Sequence, residues 1–275
     1  MRETFILLPS SFLKMRYLKL FFTFTKSSLQ MELEYRANFL TQVCLSLLWI
    51  GVTLVSVLVF YTHTDAVGGW ALNEALVIVG MFTFMGGVIQ TLLQPNAQKI
   101  VEMIRTGTMD FVLTKPVNSQ FIATLRHHKI FSSLDMLVGA GIVLVAFGRM
   151  GYAPSSAALL QFALMLGLAL LILYSIWVIM ATISFWFVKV ANLTEGFNAI
   201  WDTGRFPVTT FDGVLRIALT FVLPIAFITT FPAQAILGKL DGVTMIPALI
   251  IGVGLFAFSA WFWRYAVRSY SSASS

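Results

Sequence analysis

Charge is what this chain has least of. Asp, Glu, Lys and Arg together make up 11% of its 275 residues, against 58% hydrophobic residues, far below the roughly 25% charged content of a soluble domain. The mean hydropathy is +0.86, and no large soluble domain fits between the apolar runs. A single cysteine, Cys44, excludes an internal disulfide and leaves the redox compartment open. Histidines are as scarce: His63 stands alone, and His127 and His128 are adjacent, so on a helix they point about 100° apart rather than towards one metal ion. No G-x-x-x-x-G-K-[ST] run occurs, so the chain has no phosphate-cradling loop and any ATP must be bound elsewhere. H-E-x-x-H and G-x-S-x-G are also missing, which removes the common signatures of membrane hydrolases and leaves no visible catalytic group or cofactor site. Acids number 12 against 18 bases, giving a formal charge of +6. No dense basic run accompanies that excess, so nucleic acid is excluded as a partner. Nothing at the N-terminus resembles a cleavable signal.

What the chain has is long apolar runs. Six stretches free of Asp, Glu, Lys and Arg cover residues 37–64, 75–98, 136–148, 150–188, 217–238 and 242–263, and about 20 apolar residues of helix cross a bilayer core. The sequence therefore predicts an all-α polytopic membrane protein with six transmembrane helices. The spans fall at about Asn38 to Tyr61, Ala75 to Leu93, Phe131 to Gly148, Leu159 to Val188, Val214 to Ala235 and Met245 to Tyr265. The domain plan is an interfacial segment over 1–37, a membrane domain over 38–265 and a short tail over 266–275. With these spans, 16 of the 18 Lys and Arg residues fall on one side, and only Arg149 and Lys239 on the other. Positive-inside bias then puts both termini, a loop over 95–133 and the loop bearing Lys189, Arg205 and Arg216 in the cytoplasm. Trp70 and Tyr61 mark the outer interface, and Trp261, Trp263 and Tyr265 the inner one.

Two spans are irregular. The third has 13 charge-free residues, about 20 Å of helix, so it extends back through Asp135 to Phe131. Asp135 then either pairs at the interface with a base such as Arg126 or Lys129, or lies in a translocation path. The fourth stretch has 39 charge-free residues and reads as one long tilted helix. Gln90 and Gln94, one turn apart, line a polar path or hydrogen-bond between helices; small residues such as Gly80 and Gly139 allow close helix contact, and Pro224 bends the fifth span. Ahead of the first span, aromatic residues among Lys14, Arg16, Lys19 and Lys26 predict an amphipathic helix in the headgroup plane, its bases facing lipid. Ser27 with Gln30 matches a capping box for a second short helix.

The 95–133 loop carries the most specific pattern. An amphipathic helix over Lys99 to Arg105 is stopped by Gly107, and a short apolar segment, Phe111 to Leu113, precedes Lys115-Pro116. Short helices joined by a rigid bend and rimmed with bases suit docking to another protein; the same residues alternatively fold the loop back onto the membrane surface.

The run Arg105-x-Gly107-Thr108-Met109-Asp110-Phe111-x-Leu113-x-Lys115-Pro116-Val117, followed by Ser119-Gln120-Phe121, resembles the loop between the second and third spans of type-2 ATP-binding-cassette (ABC) exporter permeases, closest to a bacterial subgroup whose cargo is generally unassigned. Six spans, inward termini and the prolines from Pro207 to Pro232 extend the likeness. The resemblance implies a coupling helix seated in a groove of a cytoplasmic ABC ATPase subunit, with Arg105, Gly107, Thr108, Asp110, Lys115 and Pro116 forming or shaping the contact. It further implies a second permease subunit, as a homodimer or heterodimer, ATP bound only by the partner, and a place in the bacterial cytoplasmic (inner) membrane. Family members carry short re-entrant helices between the last two spans, here expected to shrink to a turn pair over Phe231 to Asp241. The alternative is a non-transporting membrane scaffold or assembly factor that uses the same loop to recruit a cytoplasmic partner.

Overall fold

The computed structural model describes residues 10–34, 36–187 and 191–270. The expected features at residues 1–9, at Lys189 and at the last residues of the tail lie outside them. The described chain is almost wholly helical, as an apolar chain without water must be to satisfy its backbone. Helix α1 (Ser10–Glu34) leads to α2 (Arg36–Tyr61). A two-residue hairpin follows, β1 (Ala66–Val67) against β2 (Trp70–Ala71), turning on Gly68 and Gly69, both with positive φ. Helix α3 (Leu72–Val88) passes through a π turn at Ile89–Leu93 into α4 (Gln94–Arg105). Short helices α5 (Asp110–Leu113) and α6 (Ser119–Leu125) then precede α7 (Leu134–Met150) and α8 (Ser156–Ile183).

Glycines decide how α3 meets α7. The two run antiparallel, and a Cβ added at Gly139 would lie 2.5 Å from the Phe84 amide nitrogen and 2.6 Å from the Gly80 carbonyl oxygen. Only hydrogen fits at such a crossing, and backbone contact of this kind is what holds helices together in lipid. The core continues into α8 through Ile78, Met85, Met165 and Ile172, all fully buried. This packing puts the ends of α3 and α7 in register: Leu72 and Met150 at one end of the bundle, here the hairpin end, and the 95–133 loop at the other, the loop end.

Among the described residues five helices are long and apolar enough to cross a membrane: Leu40–Tyr61, Leu72–Arg105, Ile130–Met150, Ser156–Ile183 and Gly242–Ser269. The fourth is one unbroken helix, as the sequence predicts, and the third does begin near Phe131. The second runs further than expected. Pro95 and Asn96 do not end it, because the π turn just before Pro95 already loosens the hydrogen-bond ladder into which the proline ring would clash. The helix stops at Gly107, in the left-handed region at φ +73°.

The fifth span is where the structure departs most from the expected boundaries. The apolar stretch expected there forms α10 (Gly213–Ile217), a π turn, then α11 (Ile225–Ile228) and α12 (Thr230–Ile236), and its two arms bend by 60° at Leu223-Pro224. Both ends of this pair lie at the hairpin end. Before it, the Thr209 hydroxyl donates to the Gly68 carbonyl at 2.6 Å and Phe206 packs edge-on against Phe60. After it, the Tyr152 hydroxyl donates to the Ile236 carbonyl and Lys239 bridges to Glu74 at 2.6 Å. The pair therefore re-enters, longer than the turn pair expected. The fifth crossing is instead made by α9 (Ala191–Trp201) and the 3-10 turn Asp202–Arg205, which starts beside the loop end of α8 and reaches Phe206 at the hairpin end. Arg205 and Arg216 consequently leave the loop end and join Arg149 and Lys239. The last crossing is α13 (Met245–Ser269).

At the N-terminal side α1 is one helix through Glu34, so Ser27 lies mid-helix and caps nothing. Two expected interfacial aromatics are core residues: Trp70 is buried, and so is Trp263.

Candidate functional site: the loop-end surface and a lateral groove

The loop end is built around a small apolar cluster of its own. Ile100, Met109, Val112, Ile122 and Trp263 pack together with Val178 of α8. Met109 and Val112 anchor α5 from beneath, and three neighbouring bonds hold α6: Asn118 Oδ1 caps it by accepting from the Phe121 amide, Trp263 Nε1 donates to Ser119 Oγ at 3.2 Å, and Gln120 Nε2 donates to the Tyr174 hydroxyl. Anchoring one face of α5 exposes the other. Phe111 stands 71% exposed at its tip, and Arg105, Thr108, Lys115 and Pro116 are exposed around it, with Gly107 and Asp110 partly so. All six loop residues singled out in the sequence thus fall on one surface. Phe111 belongs with them and was passed over, because an apolar residue beside Val112 and Leu113 reads as core until the helix phase is known.

Asn96 was also missed. Its amide donates to the Leu92 and His127 carbonyls, and its carbonyl oxygen accepts from the Arg126 and His127 amides, so one buried side chain returns the loop to the bundle. Helix α1 docks here as well: the Thr25 hydroxyl bonds His128 Nδ1, Ser28 Oγ accepts from the His128 amide, and Glu32 accepts from the Phe131 amide. Burial, more than the neighbouring Arg126 and Lys99, holds His127 below the usual imidazole range; burial also lowers His128, against the Leu125 carbonyl. Burial raises the Glu32 carboxyl, opposed by the Phe131 and Ile130 amides and by Lys129.

A groove of about 850 Å³ opens on the side of the bundle between α2, α3, α7 and α9. Gln90 and Asp135 border it; Gln94 and Pro224 do not. Gln90 lies within the π turn and Gln94 just after it, and Pro224 sits at the bend of the re-entrant pair. Asp135 accepts from the Ser46 hydroxyl, and neither Arg126 nor Lys129 bridges to it among the described residues. Asn198 of α9 and Asp202, the first residue of the 3-10 turn after it, face the groove. With Glu195 they make an exposed polar face, spaced three and four residues apart as one helical stripe.

The described residues form a helical polytopic fold of the membrane-protein type, with a re-entrant pair and an anchored loop. A family model described as ABC-2 family transporter protein matches residues 47–274, and the chain belongs to that family. No curated protein and no solved structure matches it.

Proposed function

We propose that the chain is the permease subunit of an ABC exporter, driven by a separate ATPase that binds the loop-end surface and carries the ATP. The observation that carries this reading is the exposed Phe111 on a helix whose other face is anchored by Met109 and Val112. An aromatic knob on a rigid base, rimmed by Arg105 and Lys115, fits a groove with acidic edges and transmits force rather than yielding to it. Gly107 and Pro116 set the bends on either side. On this reading the loop end faces the cytosol with both termini, the hairpin end faces outward, and the chain sits in a bacterial cytoplasmic membrane.

The polar face of α9 supports a second permease subunit. Glu195, Asn198 and Asp202 are exposed on a crossing element, and carboxylates at that depth do not face lipid tails. A second copy, or a related permease, would close the groove into a path lined from both sides, and rocking of the pair by the ATPases would switch its access. A scaffold that only recruits a partner has no use for such a face. Co-purification with the cognate ATPase tests the proposal: Phe111→Ala and Arg105→Ala should abolish assembly and transport while the permease stays monodisperse. Unchanged assembly and unchanged transport would overturn it.

A further inference from the structure

The groove holds two acids, Asp135 and Asp202, against one base, Lys129, and neither acid is bridged among the described residues. Asp135 and Asp202 both border it, and among the described residues the salt bridges are Lys99–Glu102 and Lys239–Glu74, neither of which touches it. Two cations lie near. Lys129 borders the rim, where it acts on Glu32 of α1; Arg205, three residues beyond Asp202, sits 5.7 Å over the Phe206 ring and does not border the groove. The remaining wall is aromatic and apolar, with Trp49, Phe82 and Trp201 along its length and Trp201 stacked on Phe82 at 5.1 Å. Polar neutral groups, Gln42, Gln90 and Asn198, complete it.

Resting on the permease reading, we infer that this groove takes a cationic amphipathic cargo, its apolar body against Trp49, Phe82 and Trp201 and its positive charge drawn to Asp202 and Asp135. Three physical terms favour that class. A carboxylate at membrane depth gains most from a cation that arrives already stripped of tightly held water, as a bulky organic cation does. Indole and phenyl faces attract the same charge. The volume admits a drug-sized molecule, within the range of about 300–1,000 Å³ typical of such sites. An anion of equal size meets two carboxylates against the single ammonium of Lys129, and a neutral lipid tail leaves the excess negative charge uncompensated.

The test uses two isosteric ions of opposite charge, tetraphenylphosphonium and tetraphenylborate, with the purified full-length chain in detergent. Binding is read by quenching of tryptophan emission and checked by equilibrium dialysis. Tetraphenylphosphonium should bind saturably and tetraphenylborate should not. Asp202→Asn should weaken the cation by about tenfold or more, the effect of losing one charge contact in a partly dry site, and Asp202→Glu should retain binding. Asp202 is exposed, so neither substitution threatens folding; Asp135→Asn adds a second site and is scored only if the chain remains monodisperse. Equal binding of the two ions, or unchanged cation binding in Asp202→Asn, overturns the inference. Co-purification with the ATPase is scored on the same preparations: retained assembly without charge selectivity removes the cargo class alone, whereas lost assembly of the unaltered chain removes the permease reading.

Discussion

Trp263 Nε1 donates to Ser119 Oγ across 3.2 Å, joining the last crossing to the loop that precedes the third. The indole is 1% exposed and packs edge-on against Phe185. Trp263 therefore ties three parts of the loop end, α6, α8 and α13, into one block behind α5. Trp263→Ala should cost about 3 kcal/mol or more, as large aromatic truncations do, and Trp263→Phe about 1 kcal/mol for the lost hydrogen bond. Thermal unfolding of the purified chain measures both.

Helix contact at the glycines gives a second prediction. Gly139→Leu would drive a side chain into the Phe84 and Gly80 backbones, which have no flexible end to move aside. It should destabilise by about 2 kcal/mol or more. Gly141→Ala, two residues on and with nothing within 4 Å, should be neutral or stabilising by up to about 1 kcal/mol. Midpoints of detergent-induced unfolding distinguish the pair.

The seat of α1 should respond to acid. Burial depresses His128, which α1 touches through Thr25, Ser28 and Phe21, below the ordinary imidazole value, so in the docked state it binds fewer protons than when α1 is released. Docking is then fully supported above about pH 6.5, the free imidazole value, and weakens as pH falls below it. Glu32 works the other way: its raised carboxyl favours docking at low pH and loses that contribution as pH rises through its own higher value, in a window starting near the carboxylate range. The imidazole contribution starts to fall near pH 6.5 and the carboxylate window opens near 4.5, so between pH 7.5 and 5.5 exchange of the amides over 21–32 should speed up. His128→Gln should flatten most of that dependence; an unchanged slope would contradict it.

Much of the architecture was legible because lipid-facing helices must be apolar and loops gather bases. The spans containing Leu54, Gly80, Gly139 and Leu168 were all found, and the long fourth helix was read as one. The fifth crossing was not legible. Hydropathy reports which segments avoid water, and the segment over 213–236 does so without crossing, its second arm burying Ile225, Phe227 and Ile228 inside the bundle while Val214, Ile217 and Val222 of the first arm stay exposed on its outside. The segment that crosses carries Glu195, Asn198, Asp202 and Arg205 and is too short to read as an apolar span. Pro95 likewise reads as a stop, and only the π turn before it lets the helix continue. At the loop end, the spacing of Gly107 and Pro116 marked the bends, whereas Phe111 and Asn96 depend on helix phase and on a contact 31 residues away, which local pattern does not contain.

Asn96 deserves its own test, because one amide satisfies four backbone groups. Asn96→Ala would leave the Arg126 and His127 amides without their acceptor in a buried site, a loss of about 1–3 kcal/mol. Proteolytic nicking within 118–133 should increase, and Asn96→Asp, which keeps only the acceptor, should be intermediate.

The re-entrant assignment is tested most directly by single-cysteine labelling in a Cys44→Ser background. Thr210→Cys and Val243→Cys should both react with a membrane-impermeant maleimide added to the outside of intact cells, and Phe111→Cys should react only after the membrane is opened. Thr210→Cys shielded together with Phe111→Cys, while Val243→Cys reacts, would restore a fifth span over 213–236 and contradict the fold described above.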